Sequence, residues 1–215
     1  MVKIIPAILV ENEVEFIKEI NAIQNSVDLV QLDIIDGKFV PQTTWADPDV
    51  VEKYTNINME LHLIIKNPLE ELQRWTATKV VKRVLIHYES VNNFGEIITN
   101  LKNYPWKIGV VLNPETPTKV IDKYLPDLDS VMFMSVYPGK QGQTLMPEIL
   151  EKIKIFTSQN PTMFTELDGG VNEQTLPDII ASNVKAICPG SAIFKNARKP
   201  KENLDRLKEI INSLT

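Results

Sequence analysis

The stretch Leu29–Val30–Gln31–Leu32–Asp33–Ile34–Ile35 decides how this chain is read. Apolar residues fall on both of its faces, the pattern of a strand in a parallel sheet covered by helices. The exceptions, Gln31 and Asp33, are two positions apart, so both side chains leave the strand on the same side. Working outward, apolar runs alternate with helical stripes. Upstream, Ile4–Leu9 reads as a strand, and Glu13–Ile23 as a helix with apolar residues at Val14, Ile17, Ile20 and Ala22 or Ile23. Downstream, strands are expected at Met59–Ile64, Val80–Ile86, Ile108–Leu112, Ser130–Met134, Phe164–Leu167 and Val184–Cys188. Helices are expected at Pro48–Tyr54, Pro68–Thr76, Phe94–Leu101, Pro117–Tyr124, Pro147–Phe156, Gln174–Ala181 and Asn203–Ile211.

Eight strand–helix pairs predict an α/β chain, a (β/α)8 TIM barrel forming a single domain over residues 1–215. A doubly wound open sheet is the structural alternative, but it does not need eight pairs, and no G-x-G-x-x-G follows the first strand.

Composition narrows the function. With 43% apolar and 24% charged residues in 215, the chain has the make-up of a globular protein with a real core. Its 23 basic residues against 28 acidic ones give a net charge of −5, which argues against nucleic-acid binding. Cys188, the only cysteine, lies in an apolar run and reads as a buried, inert thiol; a disulfide within the chain is excluded. The apolar start, Met1–Val10, is short and broken by Pro6, so neither a signal peptide nor a membrane span is expected, and the default location is the cytoplasm. Two histidines exclude any histidine-rich site.

Active sites of parallel barrels lie at the C-terminal ends of the strands. Polar residues gather there: Gln31, Asp33 and Asp36, then Glu60 and His62, His87 and Glu89, Asn113, Ser135 and Asp168. Five of the eight glycines, Gly139, Gly142, Gly169, Gly170 and Gly190, follow the sixth, seventh and eighth strands. Glycine lets backbone N–H groups wrap an anion, and the last βα loops are the usual phosphate site of this fold. Asp33, His62 and Asp168, with Gln31 beside them, offer oxygen and nitrogen ligands for one divalent metal. Two converging carboxylates can also act as an acid–base pair, and a metal beside them would polarise a ketone. The implied chemistry is proton abstraction next to a carbonyl of a phosphorylated sugar. No G-x-S-x-G or plausible Cys–His pair supports covalent nucleophilic catalysis.

These segments resemble the ribulose-phosphate 3-epimerase family, a TIM-barrel family, over nearly the whole chain. Ile5–Pro6–Ala7–Ile8–Leu9 is similar to its opening Pro-Ser-Ile-Leu, and Gln31–Leu32–Asp33–Ile34–Ile35–Asp36–Gly37–Lys38–Phe39–Val40–Pro41 to its His-x-Asp-x-Met-Asp-x-x-Phe-Val-Pro. Leu61–His62–Leu63–Ile64, Leu112–Asn113–Pro114–Glu115–Thr116–Pro117, Met134–Ser135–Val136–Tyr137–Pro138–Gly139, Asp168–Gly169–Gly170 and Gly190–Ser191–Ala192–Ile193–Phe194 follow in the family's order. The resemblance implies interconversion of D-ribulose 5-phosphate and D-xylulose 5-phosphate through a metal-stabilised enediolate. Asp33 and Asp168 would be the catalytic pair; with His62 they would bind one divalent ion, zinc, iron, manganese or cobalt. Ala7, Met134, Gly139, Lys140, Gln141, Gly142, Gly169, Gly170, Gly190 and Ser191 would line the substrate and hold its phosphate. Relatives form dimers and larger assemblies, so a second copy of the chain is a candidate partner.

Departures from the pattern gather at this site. Gln31 stands where the family has its first metal histidine, and as a neutral oxygen donor it is a weak ligand or none. Ala7 replaces a serine, Ile35 and Ile64 replace methionines, and Gly139–Lys140–Gln141–Gly142 replaces Gly-Phe-Gly-Gly, adding a cation near the expected phosphate. Two alternatives stay open: epimerisation of another ketose phosphate such as a hexulose 6-phosphate, and a phosphosugar-binding protein without catalysis. Decarboxylases and hexulose-phosphate synthases of the same barrel carry Asp-x-Lys-x-x-Asp on the third strand, where this chain reads Glu60–Leu61–His62–Leu63–Ile64–Ile65.

Overall fold

A computed structural model describes residues 2–214. Nine parallel strands form one sheet: β1 (Lys3–Ile4), β2 (Ala7–Ile8), β3 (Leu29–Ile35), β4 (Asn58–Ile64), β5 (Val81–His87), β6 (Lys107–Leu112), β7 (Ser130–Met134), β8 (Phe164–Asp168) and β9 (Ala186–Cys188). The expected first strand is present as two short pieces, because Pro6 has no N–H to give to a ladder. Those pieces close the barrel. Lys3 and Ile4 pair with Ala186 and Ile187 of β9, while Ala7 and Ile8 pair with Gln31 and Leu32 of β3. One segment therefore joins both edges of the sheet, and no edge is left open among the described residues.

The helices are α1 (Glu13–Ile23), α2 (Pro48–Tyr54), α3 (Pro68–Arg74), α4 (Phe94–Leu101), α5 (Glu148–Gln159), α6 (Leu176–Ala181), α7 (Ser191–Phe194) and α8 (Pro200–Leu214). Local chemistry sets their starts. Asn12 accepts the Glu15 N–H at the head of α1, and Asp47 accepts those of Asp49 and Val50 at the head of α2, with Pro48 in its first turn. Two expectations are corrected. The helix expected at Pro117–Tyr124 is a 3₁₀ helix, Thr118–Asp127, with Pro126 inside it removing a donor. The buried stripe of α1 is Phe16, Ile20 and Ile23, and Val14 is 75% exposed. A short helix, α7, follows β9 ahead of the closing one.

Two cores result. The larger lies between the outward strand faces and the helices, as with Leu32, Leu61, Val84, Phe133 and Leu167 against Phe16, Trp75 and Phe156. The smaller fills the barrel, with Ile5, Ala7, Leu85, Val111, Met132, Met134, Ala186 and Cys188. Alternation along each strand then puts Gln31 and Asp33, Glu60 and His62, and Glu166 and Asp168 inside the barrel, the second of each pair nearer the C-terminal mouth. Among the described residues, no helix is long and apolar enough to cross a membrane.

Candidate active site

A cleft opens at that mouth, lined by Asp33, His62, Ile64, Met134 and Asp168, by Ala7, and by the loops after β7, β8 and β9. Every site residue singled out in the sequence lines it except Gln31, which is fully buried at the cleft floor. Of the replaced positions, Ala7 and Ile64 line the cleft and Ile35 does not.

Asp33, His62 and Asp168 come together because β3 and β4 pair with Asp33 opposite His62, and β8 returns beside them around the closed sheet. His62 Nδ1 is 3.1 Å from Asp33 Oδ1 and 3.4 Å from Asp168 Oδ2. The three ligand atoms lie within 4.8 Å of one another, a set that could hold a metal ion. Gln31 reaches into the same place. Its Nε2 donates to Asp33 Oδ1 at 2.7 Å and to Asp168 Oδ2 at 2.8 Å, and lies 3.1 Å from His62 Nδ1. Its Oε1 is buried and has no hydrogen-bond partner among the described residues.

Burial pushes His62 down, but hydrogen bonds to Asp168 and Asp33 and their charges outweigh it and push the ring up to about 9. Behind it, His62 Nε2 meets His87 Nε2 at 2.9 Å, with the rings stacked 5.0 Å apart. Burial pulls His87 down to about 4. A charged His62 thus donates to a neutral His87, whose Nδ1 faces Glu89 Oε2 at 3.6 Å. Asp33 is pushed up by burial, against the pull of its hydrogen bonds from His62 and Gln31.

The other strand-end polar residues do different work. Glu60 lies a layer deeper, bonded to Arg83. Asp36 bridges to Thr43, and Asn113 donates its N–H to Glu89. Ser135 donates to the carbonyls of Asp168 and Gly169 and so fixes the chain after β8. Gly169 and Gly170 have φ of +105° and +60°, and a Cβ on Gly170 would fall 2.6 Å from the Leu145 backbone. Lys140 is exposed at the rim, while Gln141 folds inward and donates to the Ala7 carbonyl at 3.3 Å. Cys188 is buried beside Asp168, and burial raises its thiol well above the usual range. The sequence reading missed the contact between the two histidines; having both at adjacent strand ends was the available signal.

A closed parallel barrel with a carboxylate–histidine cluster and glycine loops at its C-terminal mouth has the layout of a TIM-barrel enzyme. Residues 3–194 match the ribulose-phosphate 3 epimerase family, and the chain belongs to that family of carbohydrate epimerases. It is 31% identical over 210 residues to the ribulose-phosphate 3-epimerase of Bacillus subtilis (strain 168), covering 94% of this chain and 96% of that protein. It is 30% identical over 216 residues to the enzyme of that name from Schizosaccharomyces pombe, covering 97% and 93%. Among solved structures, 3-hexulose-6-phosphate synthase from Salmonella typhimurium superposes with a TM-score of 0.72 at 14% identity, covering 99% of this chain and all of that one. Orotidine 5'-phosphate decarboxylase from Pyrococcus horikoshii OT3 gives 0.68 at 13% identity, over 97% and 99%. At such identities these two speak for the fold alone.

Proposed function

We propose that the chain interconverts D-ribulose 5-phosphate and D-xylulose 5-phosphate, with Asp33 and Asp168 exchanging the proton at carbon 3. The carrying observation is that two buried carboxylates from strands far apart in sequence are tied through one amide at 2.7 and 2.8 Å. Each uses one oxygen for that bond and keeps the other for the substrate. One carboxylate takes the carbon-3 proton as the C–H bond breaks, and the electron pair passes to the carbon-2 oxygen. The other returns a proton to the opposite face, so the two aspartates exchange protonation states at each turnover. The backbone at Gly169–Gly170 and the chain entering α7 at Gly190–Ser191, with Lys140 on the rim, hold the phosphate.

Two carboxylates and an imidazole suit a divalent ion such as zinc, iron, manganese or cobalt, and turning the Gln31 amide would aim its unpartnered Oε1 at the same centre. Asp33, His62 and Asp168 would then hold the ion, with Gln31 a weak fourth donor. When bound, such an ion polarises the ketone oxygen.

The test is deuterium incorporation at carbon 3 from heavy water, followed by NMR, with pentulose and hexulose phosphates side by side. Asp33→Asn and Asp168→Asn should each lose exchange by on the order of 10²–10⁴-fold, the contribution of a positioned acid–base group. Full activity in both variants would end this reading, and faster turnover of a hexulose phosphate would reassign the sugar.

A further inference from the structure

The donor atoms that could receive a cation already have an occupant. Gln31 Nε2 is within hydrogen-bonding distance of all three, at 2.7, 2.8 and 3.1 Å. An amide nitrogen carries two N–H groups and no acceptor. Its two protons match the two carboxylate oxygens, Asp33 Oδ1 and Asp168 Oδ2. His62 Nδ1 then needs no bond from the amide, since it faces those same oxygens. The reverse amide orientation would set Oε1 against two carboxylates and leave a buried amide nitrogen facing whatever now surrounds Oε1. It would gain one donor, the His62 Nδ1–H, and lose the two bonds to the carboxylates, unless a cation stood at the centre. Among the side-chain atoms of Gln31, Asp33, His62 and Asp168, the orientation seen leaves only Gln31 Oε1 buried without a partner among the described residues.

We propose that the Gln31 carboxamide is a built-in substitute for the cation, its N–H groups joining Asp33 and Asp168 in the geometry that proton exchange needs, so that the chain works with the ion absent. A bound ion and this arrangement exclude each other, because the amide nitrogen lies among the ligand atoms. Binding a metal requires turning the amide and giving up two charge-assisted hydrogen bonds. The functional part of the proposal rests on the epimerase reading above; the placement of the amide does not.

The full chain is stripped with a chelator and its metal content checked by elemental analysis. Cobalt(II) is then titrated into wild type, Gln31→His and Gln31→Glu, followed by visible absorbance, and carbon-3 exchange on D-ribulose 5-phosphate is measured with and without the metal. The stripped wild type is expected to keep exchange within about tenfold of its cobalt-supplemented rate, and to bind cobalt on the order of 100-fold more weakly than Gln31→His. Gln31→His should lose exchange on stripping. Gln31→Glu, equal in shape but without the two N–H groups, should lose it in the stripped state as well. Equal cobalt affinity in wild type and Gln31→His overturns the proposal. So does a stripped wild type that loses exchange 1000-fold (about three decades, or 4 kcal/mol) and regains it with cobalt, an outcome that leaves the epimerase reading intact. No exchange in any protein under any condition ends the epimerase reading, and the cobalt affinities then still decide where the amide sits.

Discussion

Replacing Arg83 by Met should destabilise the barrel by an amount that grows with pH. Arg83 Nη1 donates to Glu60 Oε2 and Glu166 Oε1, each at 2.9 Å, and all three side chains are buried one layer below the site. Burial and the neighbouring Glu166 push Glu60 well above the carboxylate range. Burial also pushes Glu166 up, with Arg83 the largest influence holding it down. Without the guanidinium, a charged Glu166 would be left buried and unpaired, so it folds protonated instead. That sets the size of the effect. Keeping a proton that the unfolded carboxyl releases near its usual value costs up to about 3 kcal/mol at pH 7. The same arithmetic gives about 1 kcal/mol at pH 5 and about 5 kcal/mol at pH 8, within the span seen when buried ion pairs are broken. The sign follows from proton counting. The folded variant binds one more proton than the unfolded chain, so stability is greatest at low pH and falls as pH rises. Losing the contact of Arg83 with the Phe164 ring, 4.7 Å away, adds a pH-independent part. That part is about 0.5–1 kcal/mol. Urea unfolding at pH 5, 7 and 8 measures all of this, and Arg83→Met/Glu166→Gln should remove the added slope. A cost below about 1 kcal/mol at pH 8, or one equal at all three pH values, would refute the reasoning.

Two further perturbations bear on the frame around the site. Burial pushes Glu19 in α1 up to about 7, against the charge of Lys195, and its Oε2 has no partner. A carboxyl raised on folding lowers stability as pH climbs from its ordinary value of 4.5 to about 7, and the loss then stays constant. Glu19→Gln should therefore stabilise the chain by about 1–2 kcal/mol at pH 8 after solvent screening, and have little effect at pH 4, as read by urea midpoints. Gly170→Ala forces a side chain into φ +60° against the Leu145 backbone, whereas Gly142→Ala, at φ +78°, meets only Ser191 Oγ at 4.0 Å. The first should cost about 1–3 kcal/mol and the second about 1, and equal midpoints for the two variants would remove the close approach as the cause.

What could be read in the sequence was what depends on local order. Alternation within Leu29–Ile35 placed Gln31 and Asp33 on one face, and the strand-end rule brought His62 and Asp168 to the same mouth. What depends on neighbours was out of reach. The inward stripe of α1 passes through Phe16 and leaves Val14 in solvent, a choice made by the packing of the strands beneath it. The contact of His62 with His87 follows from the register of β4 on β5, where His62 lies opposite Leu85, so that His87 stands one inward position further along. Gln31 illustrates the same limit at the scale of one atom. Composition and spacing identify the residue, and by ligand chemistry a carboxamide in an imidazole's place only weakens a metal site. Which end of the amide faces the carboxylates is decided by charges brought in from β8, more than a hundred residues away in the chain, and those charges select the N–H end. The substitution that removes a ligand thus adds two donors, and these hydrogen bonds join the charged His62 in holding the two carboxylates close.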